Sequence, residues 1–384
     1  MEFSCYLPVR IRFGSEALRQ LAGRAAPPVL IVSTEALTRL GITGKAAKAC
    51  GGAPLIYDQV EANPTVHTVE SLACLIREKR VATVVAVGGG SSMDAAKAAS
   101  CLAAGEADLR GCLYRGDPLP RRTVSLLLVP TTAGTGSEVT NVAVLSDPEG
   151  NRKTPLVSDH LWADAAILAP EMTQTAPPGV TASTGFDALI HAVEAYWAVS
   201  TQPISRALGL EAARLVCHNL RRAYDDGSDL QAREGMLLGS LLAGMAFSQT
   251  RTTVLHAASF PLTSEFHVDH GRACAVNLLP VLRYVRRYIP GPMEALAAYC
   301  GYAGFAEWAA MLEELMAHCR MPLSLGEVGV TAADIPHLAK VTVSAAIAGL
   351  TPAPINETVV QSLLADNLYR RKGGATPPED SGNA

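Results

Sequence analysis

The stretch Val85-Ala86-Val87-Gly88-Gly89-Gly90-Ser91-Ser92-Met93-Asp94-Ala95-Ala96-Lys97 constrains the fold more than any other part of the chain. It closes the run Val81–Val87, which is rich in β-branched residues and shows no clean polar alternation. Such a run needs cover on both faces, the condition of a strand inside a parallel sheet flanked by helices. The glycines that follow permit positive φ and close approach of the backbone to a ligand. The Ala-rich segment after them reads as a helix, whose first N–H groups and dipole face the turn. Strand, glycine turn and helix make half of a β-α-β unit, and the turn is a candidate phosphate cradle to which Ser91 or Ser92 adds a hydroxyl. An ordinary tight turn has the same local pattern, so the segment alone leaves both readings open.

The first half repeats this alternation. Pro28–Ser33 and Val124–Pro130 read as further buried strands, and Thr68–Lys79 and Met93–Ala104 as helices between them. A second loop, Val129-Pro130-Thr131-Thr132-Ala133-Gly134-Thr135-Gly136-Ser137-Glu138-Val139-Thr140, again follows a strand and is crowded with hydroxyls and glycines. Two such loops at successive strand ends converge on the crevice where open α/β sheets bind ligands. Neither matches the G-x-G-x-x-G fingerprint or a Walker loop.

From about Thr181 onward the character changes to long Ala- and Leu-rich segments, among them Asp187–Trp197, Ile204–Tyr224, Asp229–Phe247 and Pro292–Cys319, and strand-like runs nearly vanish. The breaker Ala176-Pro177-Pro178-Gly179 marks the boundary. We expect an α/β dinucleotide-binding domain over 1–178, an all-helical domain over 179–371 and a frayed Gly/Pro-rich tail over 372–384. A formal charge of −4 gives no basic excess for a nucleic-acid backbone. Nine scattered cysteines without a C-x-x-C pair fit reduced thiols. The start, Met1-Glu2-Phe3-Ser4-Cys5, is not a signal peptide, and no apolar run reaches the ~18 residues of a membrane span. A cytoplasmic protein without membrane or nucleic-acid partners is therefore expected.

Four residues of the second half carry chemistry: Asp187 and His191 in Gly185-Phe186-Asp187-Ala188-Leu189-Ile190-His191, then His256 and His270. Asp187 and His191, four apart, share one helix face. One carboxylate and three imidazoles make a ligand set for a divalent transition metal. A Lewis acid beside a dinucleotide site points to hydride transfer at a carbonyl. His67, His160, His218, His318 and His337 have no such company and read as surface or packing residues.

Over about Arg10 to Tyr369 the chain resembles the iron-containing alcohol dehydrogenase family. The resemblance lies in Gly88-Gly89-Gly90-Ser91-Ser92-Met93-Asp94, in Gly134-Thr135-Gly136-Ser137-Glu138, in Gly185–Tyr196, and in the fourteen-residue separation of His256 and His270. It implies a Rossmann-like N-terminal domain and a helical C-terminal domain with the site between them, the architecture also shared by dehydroquinate synthase. It implies that Asp187, His191, His256 and His270 hold Fe2+, or Zn2+ in some relatives. It further implies that Gly89, Gly90, Ser91, Asp94, Thr131, Thr132, Thr135 and Lys153 line NAD(P)H, and that the chain reduces a small aldehyde to a primary alcohol, as a homodimer. A dehydroquinate synthase-like lyase is the competing class.

Three departures qualify the resemblance. Phe260 stands where relatives often carry a second histidine that handles protons; His267 is the candidate replacement. Thr34 stands where NAD-preferring relatives place an Asp, which predicts tolerance of NADPH. The segment Arg251–Thr263 resembles a branch that reduces phosphonoacetaldehyde to 2-hydroxyethylphosphonate, and makes Arg251, Thr253 and Arg272 candidates for an anionic substrate. A general alcohol dehydrogenase, a sulfoacetaldehyde reductase and a maleylacetate reductase are the other readings.

Overall fold

The computed structural model describes residues 2–150 and 152–369; the tail expected over 372–384 lies outside them. The first half contains the strands β1 (Arg10–Phe13), β2 (Val29–Val32), β3 (Leu55–Tyr57), β4 (Thr83–Gly88), β5 (Ser125–Pro130), β6 (Val142–Asp147), β7 (Arg152–Val157) and β8 (Ala165–Leu168). Its helices are α1 (Glu35–Arg39), α2 (Ile42–Cys50), α3 (Val66–Glu78), α4 (Gly90–Leu102) and α5 (Leu109–Tyr114). Six strands form one sheet in the order β1-β8-β5-β4-β2-β3, with every neighbouring pair parallel. β2 and β4 are buried along their whole length, as a strand covered on both faces must be. The chain leaves β2 toward β3, returns to β4 on the other side of β2, and then runs outward through β5. The order therefore reverses between β2 and β4, and a crevice opens beyond their C-terminal ends. Thr34 and Gly88–Gly90 sit at that point.

β6 and β7 form a separate antiparallel ribbon. Nothing in the sequence pattern marks it: β6 alternates half-buried and buried residues, but the polar run Arg152-Lys153-Thr154 and Pro155 mask β7.

Among the described residues, no strand follows Leu168. The second half is built from α6 (Pro178–Trp197), α7 (Pro203–Asp225), α8 (Leu230–Thr250), α9 (Val254–Ser264), α10 (His270–Ala275), α11 (Leu278–Arg286), α12 (Pro290–Tyr299), α13 (Phe305–His318), α14 (Ile335–Ser344) and α15 (Glu357–Asp366). α6 begins at the Pro177-Pro178 breaker, where a proline in the first turn costs no hydrogen bond. The stretch Pro292–Cys319 is interrupted: α12 ends at Tyr299, and Gly301 turns the chain with φ of +92° before α13 begins. One apolar cluster, containing Phe186, Leu189, Leu220, Trp308 and Leu312, fills the helical half, and two others cover the two faces of the sheet.

The halves meet backbone to backbone. Gly136, with φ of +58°, lies against Gly244 of α8, so that a Cβ on Gly136 would stand 2.6 Å from the Gly244 Cα. A Cβ on Gly134 would stand 2.6 Å from Thr184 Cβ on α6. Only glycine permits both the backbone angle and the approach at Gly136.

A buried polar cluster fixes the second glycine loop to α4. Lys97, fully buried, donates to Ser137 Oγ (2.6 Å), Thr140 Oγ1 (3.2 Å) and the Val142 carbonyl (2.9 Å). Asp94 accepts from Ser137 Oγ at 2.6 Å and Val144 N at 2.9 Å. Asp94 thus binds loop and ribbon together rather than facing the crevice. Burial lowers Lys97 to about 8 and raises Glu138, whose Oε1 has no partner, from 4.5 to about 7. The folded state therefore holds a proton on Glu138 that the unfolded chain has released, and this contribution to stability is lost as pH rises from 4.5 through 7. Glu138→Gln should gain on the wild type across that window, by about 3 kcal/mol at its upper end. Unfolding free energies measured at several pH values check this; a pH-independent difference contradicts it.

Candidate active site

α6 places Asp187, His191 and Glu194 on one buried face, at positions i, i+4 and i+7. α9 adds His256 and α10 adds His270, and both approach Asp187. His256 Nε2 lies 3.5 Å and His270 Nε2 3.7 Å from Asp187 Oδ1, while His191 Nδ1 lies 3.8 Å from Asp187 Oδ2. His191 is sandwiched between Phe247 of α8 and His256, with ring centroids 4.2 and 4.4 Å away. His270 is the one partly exposed member, and faces the opening.

Glu194 sets the chemistry of His256. Its carboxylate, fully buried, accepts from Thr253 Oγ1 (2.5 Å), the Leu255 amide (2.8 Å) and His256 Nδ1 (2.5 Å). Burial raises the carboxyl's pKa, but His256 and these donors bring it below the ordinary glutamate value. An ionised Glu194 fixes the proton on Nδ1 and leaves a lone pair on Nε2, aimed at Asp187 Oδ1. Asp187 Oδ1, His256 Nε2 and His191 Nδ1 are all buried without a hydrogen-bond partner. With the imidazoles neutral, these converging acceptors have no donor between them, which is costly unless a cation fills the gap. Ligand atoms about 2.0–2.2 Å from a tetrahedral ion lie roughly 3.4 Å apart, close to the spacings here. Asp187 Oδ1, His256 Nε2 and His270 Nε2 fit a divalent ion, whereas His191, expected as a fourth ligand, is not among the donors that lie mutually close enough to share it.

The titration pattern follows from the same geometry. Burial alone would raise Asp187, but the three histidines hold it well below the carboxylate range. Burial lowers His191 to about 4. Burial opposes charge on His256 and His270 too, yet the neighbouring anions, Cys274 foremost, raise both. Cys274, one turn after His270 on α10, was not anticipated as a site residue. Its Sγ lies 3.8 Å from His270 Nε2, and burial's upward push on its pKa is overcome by His256 and His270, which bring it to about 7. The signal was available in the sequence, since His270 and Cys274 have the same four-residue spacing as Asp187 and His191. Glu194 was visible only as part of a motif; its role needs the fold.

On the other wall of the cleft the two glycine loops touch. The Thr131 amide donates to the Gly88 carbonyl at 3.0 Å. A Cβ on Gly89 would meet Thr132 Oγ1 at 3.1 Å, and one on Gly90 would meet Thr135 Cγ2 at 2.9 Å. α4 starts at Gly90 and directs its free N–H groups at this junction. Ser91 Oγ accepts from the Asn63 amide (3.2 Å), and Lys153 Nζ donates to Asn63 Oδ1 (2.8 Å). Burial lowers the Lys153 pKa, and Cys274, Asp94, Asp187 and Asp269 oppose it, so this ammonium lies within electrostatic reach of the acidic cluster. Thr34 caps α1, its Oγ1 accepting from Leu37 N at 3.4 Å.

The residues expected at the substrate are not gathered at the cluster. Arg251, with φ of +66°, donates to Asn141 Oδ1 at 3.3 Å. Arg272, two residues past His270 and so on another face of α10, donates to the Arg320 carbonyl at 3.0 Å. Thr253 is buried between Glu194 and Trp197 Nε1 (3.0 Å). His267 stands exposed in the loop before α10 with φ of +54°, and Phe260 is 43% exposed one turn after His256.

A parallel sheet with paired glycine loops, facing helices that carry a carboxylate–imidazole cluster, defines a nucleotide-linked, metal-dependent dehydrogenase. Residues 8–170 match the family model for iron-containing alcohol dehydrogenase, and residues 181–368 match that for the C-terminal part of the Fe-containing alcohol dehydrogenase family. The chain belongs to the iron-containing alcohol dehydrogenase family, whose members act with NAD(P) and a divalent metal. It is 34% identical over 352 residues to long-chain-alcohol dehydrogenase 1 of Geobacillus thermodenitrificans, covering 88% of this chain and 89% of that one. It is 34% identical over 281 residues to sulfoacetaldehyde reductase of Bilophila wadsworthia, covering 71% and 72%. The solved structure of sulfoacetaldehyde reductase from Bifidobacterium kashiwanohense in complex with NAD+ superposes with a TM-score of 0.91 at 31% identity, over 96% of this chain and 99% of that one. Among the described residues, no helix is long and apolar enough to cross a membrane.

Proposed function

We propose that this dehydrogenase reduces a small anionic aldehyde, phosphonoacetaldehyde first and sulfoacetaldehyde second, to the primary alcohol. The single observation that carries the metal-assisted part is the convergence of the unpartnered Asp187 Oδ1 and His256 Nε2 beside the glycine loops. Asp187, His256 and His270, with His191 beside them, would hold Fe2+ or Zn2+. When bound, the ion supplies Lewis acidity and the nicotinamide supplies the hydride. Glu194 keeps His256 in the tautomer that presents Nε2. The start of α4, Gly89, Gly90, Ser91, Thr131, Thr132 and Thr135 would seat the pyrophosphate, and Lys153 would add its charge at the inner end of the cleft. Phe260 has no proton to give, so the product oxygen takes its proton from water, a cofactor hydroxyl or His267.

The anionic substrate rests on the Arg251–Thr263 segment and on relatives named as sulfoacetaldehyde reductases. The engagement of Arg251 and Arg272 with protein acceptors weighs against a direct role for either. A panel of phosphonoacetaldehyde, sulfoacetaldehyde, maleylacetate and propanal, assayed anaerobically with Fe2+ or with Zn2+, tests the proposal. The highest kcat/KM should fall on a charged aldehyde, and a preference for propanal would sink the anionic reading. Net oxidation of NAD(P)H in step with aldehyde separates a reductase from a lyase.

Thr34 carries no charge to repel a 2′-phosphate. NADPH should therefore serve with kcat/KM within about a hundredfold of NADH, and a larger NADH preference would show that Thr34 does not set the choice.

A further inference from the structure

The cluster contains one donor more than a carboxylate and imidazoles. Asp187, His256, His270 and Cys274 each offer a ligand atom, and these four atoms all lie within 4.8 Å of one another. His191 is not in that mutually close group; its ring is engaged in the stack between Phe247 and His256. In a regular tetrahedron with metal–nitrogen bonds of about 2.1 Å and metal–sulfur bonds of about 2.3 Å, a nitrogen and a sulfur ligand stand roughly 3.6 Å apart. The observed separation of Cys274 Sγ from His270 Nε2 is 3.8 Å, and the two His–Asp separations are 3.5 and 3.7 Å. Cys274 is fully buried. α10 presents it on the face that carries His270, because four residues bring the helix back to the same side. Charge leads to the same result. A divalent ion among Asp187 and neutral imidazoles leaves one net positive charge in a buried place, whereas a second anion cancels it.

We propose that Cys274 is a direct ligand, as thiolate, of the ion held by Asp187, His256 and His270, and that the resulting centre selects Zn2+ or Co2+ over Fe2+. The inference rests on the cation site described above and assigns it one further donor and a metal preference. Soft thiolate ligands favour zinc, whereas carboxylate and water donors suit harder ions. Zinc expands to five ligands, so four protein donors leave room for another on the exposed side of His270.

The optical spectrum of the Co2+-substituted protein decides the matter without reference to turnover. The wild type should show visible ligand-field bands together with an intense near-ultraviolet sulfur-to-cobalt charge-transfer band. Cys274→Ser should keep the former and lose the latter, with Cys274→Ala as a second variant should the hydroxyl perturb folding. Cys74→Ser, which changes an exposed thiol outside the cluster, should keep both. In competition between Zn2+ and Mn2+, Cys274→Ser should lower the preference for Zn2+ by at least about tenfold. Ligand-field bands without charge transfer in the wild type overturn the thiolate ligand and leave the cation site standing. Absence of bound cobalt overturns both.

Discussion

His256→Ala should purify without a tightly bound divalent ion and lose at least about a thousandfold in kcat/KM, since several kcal/mol of charge stabilisation at the developing alkoxide disappear with the ion. The loss is larger than removal of one donor suggests. His256 also satisfies Glu194, so the substitution strips a partner from a fully buried carboxylate. Glu194→Gln separates the two effects. Gln keeps the volume, and its oxygen can still accept from Thr253 and Leu255, but it no longer fixes the proton on His256 Nδ1, and the ion should bind about 10–100-fold more weakly. Metal content by elemental analysis and kcat/KM before and after dialysis against a chelator measure both. Retention of the ion by His256→Ala would remove His256 from the ligand set.

The second large effect is steric. A Cβ on Gly271 would stand 2.0 Å from the Ser183 carbonyl oxygen and 2.6 Å from its carbon, both backbone atoms of α6. Neither can turn aside as a side chain would, so Gly271→Ala must push α10 off α6. His270 precedes Gly271 and moves with it. Overpacking of this kind costs about 1–3 kcal/mol or more, and here the displaced residue is a candidate ligand. Gly271→Ala should therefore lower the melting midpoint and the metal content together. Gly291→Ala, at a position where a Cβ meets nothing within 4 Å, should change neither. A Gly271→Ala protein with normal metal content would show that α10 relaxes without moving His270.

Much of this arrangement could be read from residues alone, for reasons the structure makes plain. β2, β4 and β5 were legible because parallel strands buried on both faces must be continuously apolar. Asp187 and His191 were legible because a helix turns four-residue spacing into one face. The β6–β7 ribbon was not, because β7 buries only Leu156 fully and its sequence lacks apolar alternation. The roles expected for Arg251, Arg272 and Thr253 depended on side-chain direction, which composition near a ligand does not fix. Asn141, the Arg320 carbonyl and Glu194 claim those donors, and each lies far away in sequence. Cys274 was missed because a single cysteine carries little information until its neighbours in space are known.

The main-chain contact of Gly136 with Gly244 sets the gauge of the cleft. A seam made of side chains can be widened or narrowed by swapping a methyl for an isopropyl. One made of two bare α-carbons is already at its minimum and has nothing to trim. Accommodation of a bulkier or smaller aldehyde in this chain must therefore come from side chains elsewhere around the site. The spacing of the second glycine loop from α8 stays constant, like the jaw of a fixed spanner.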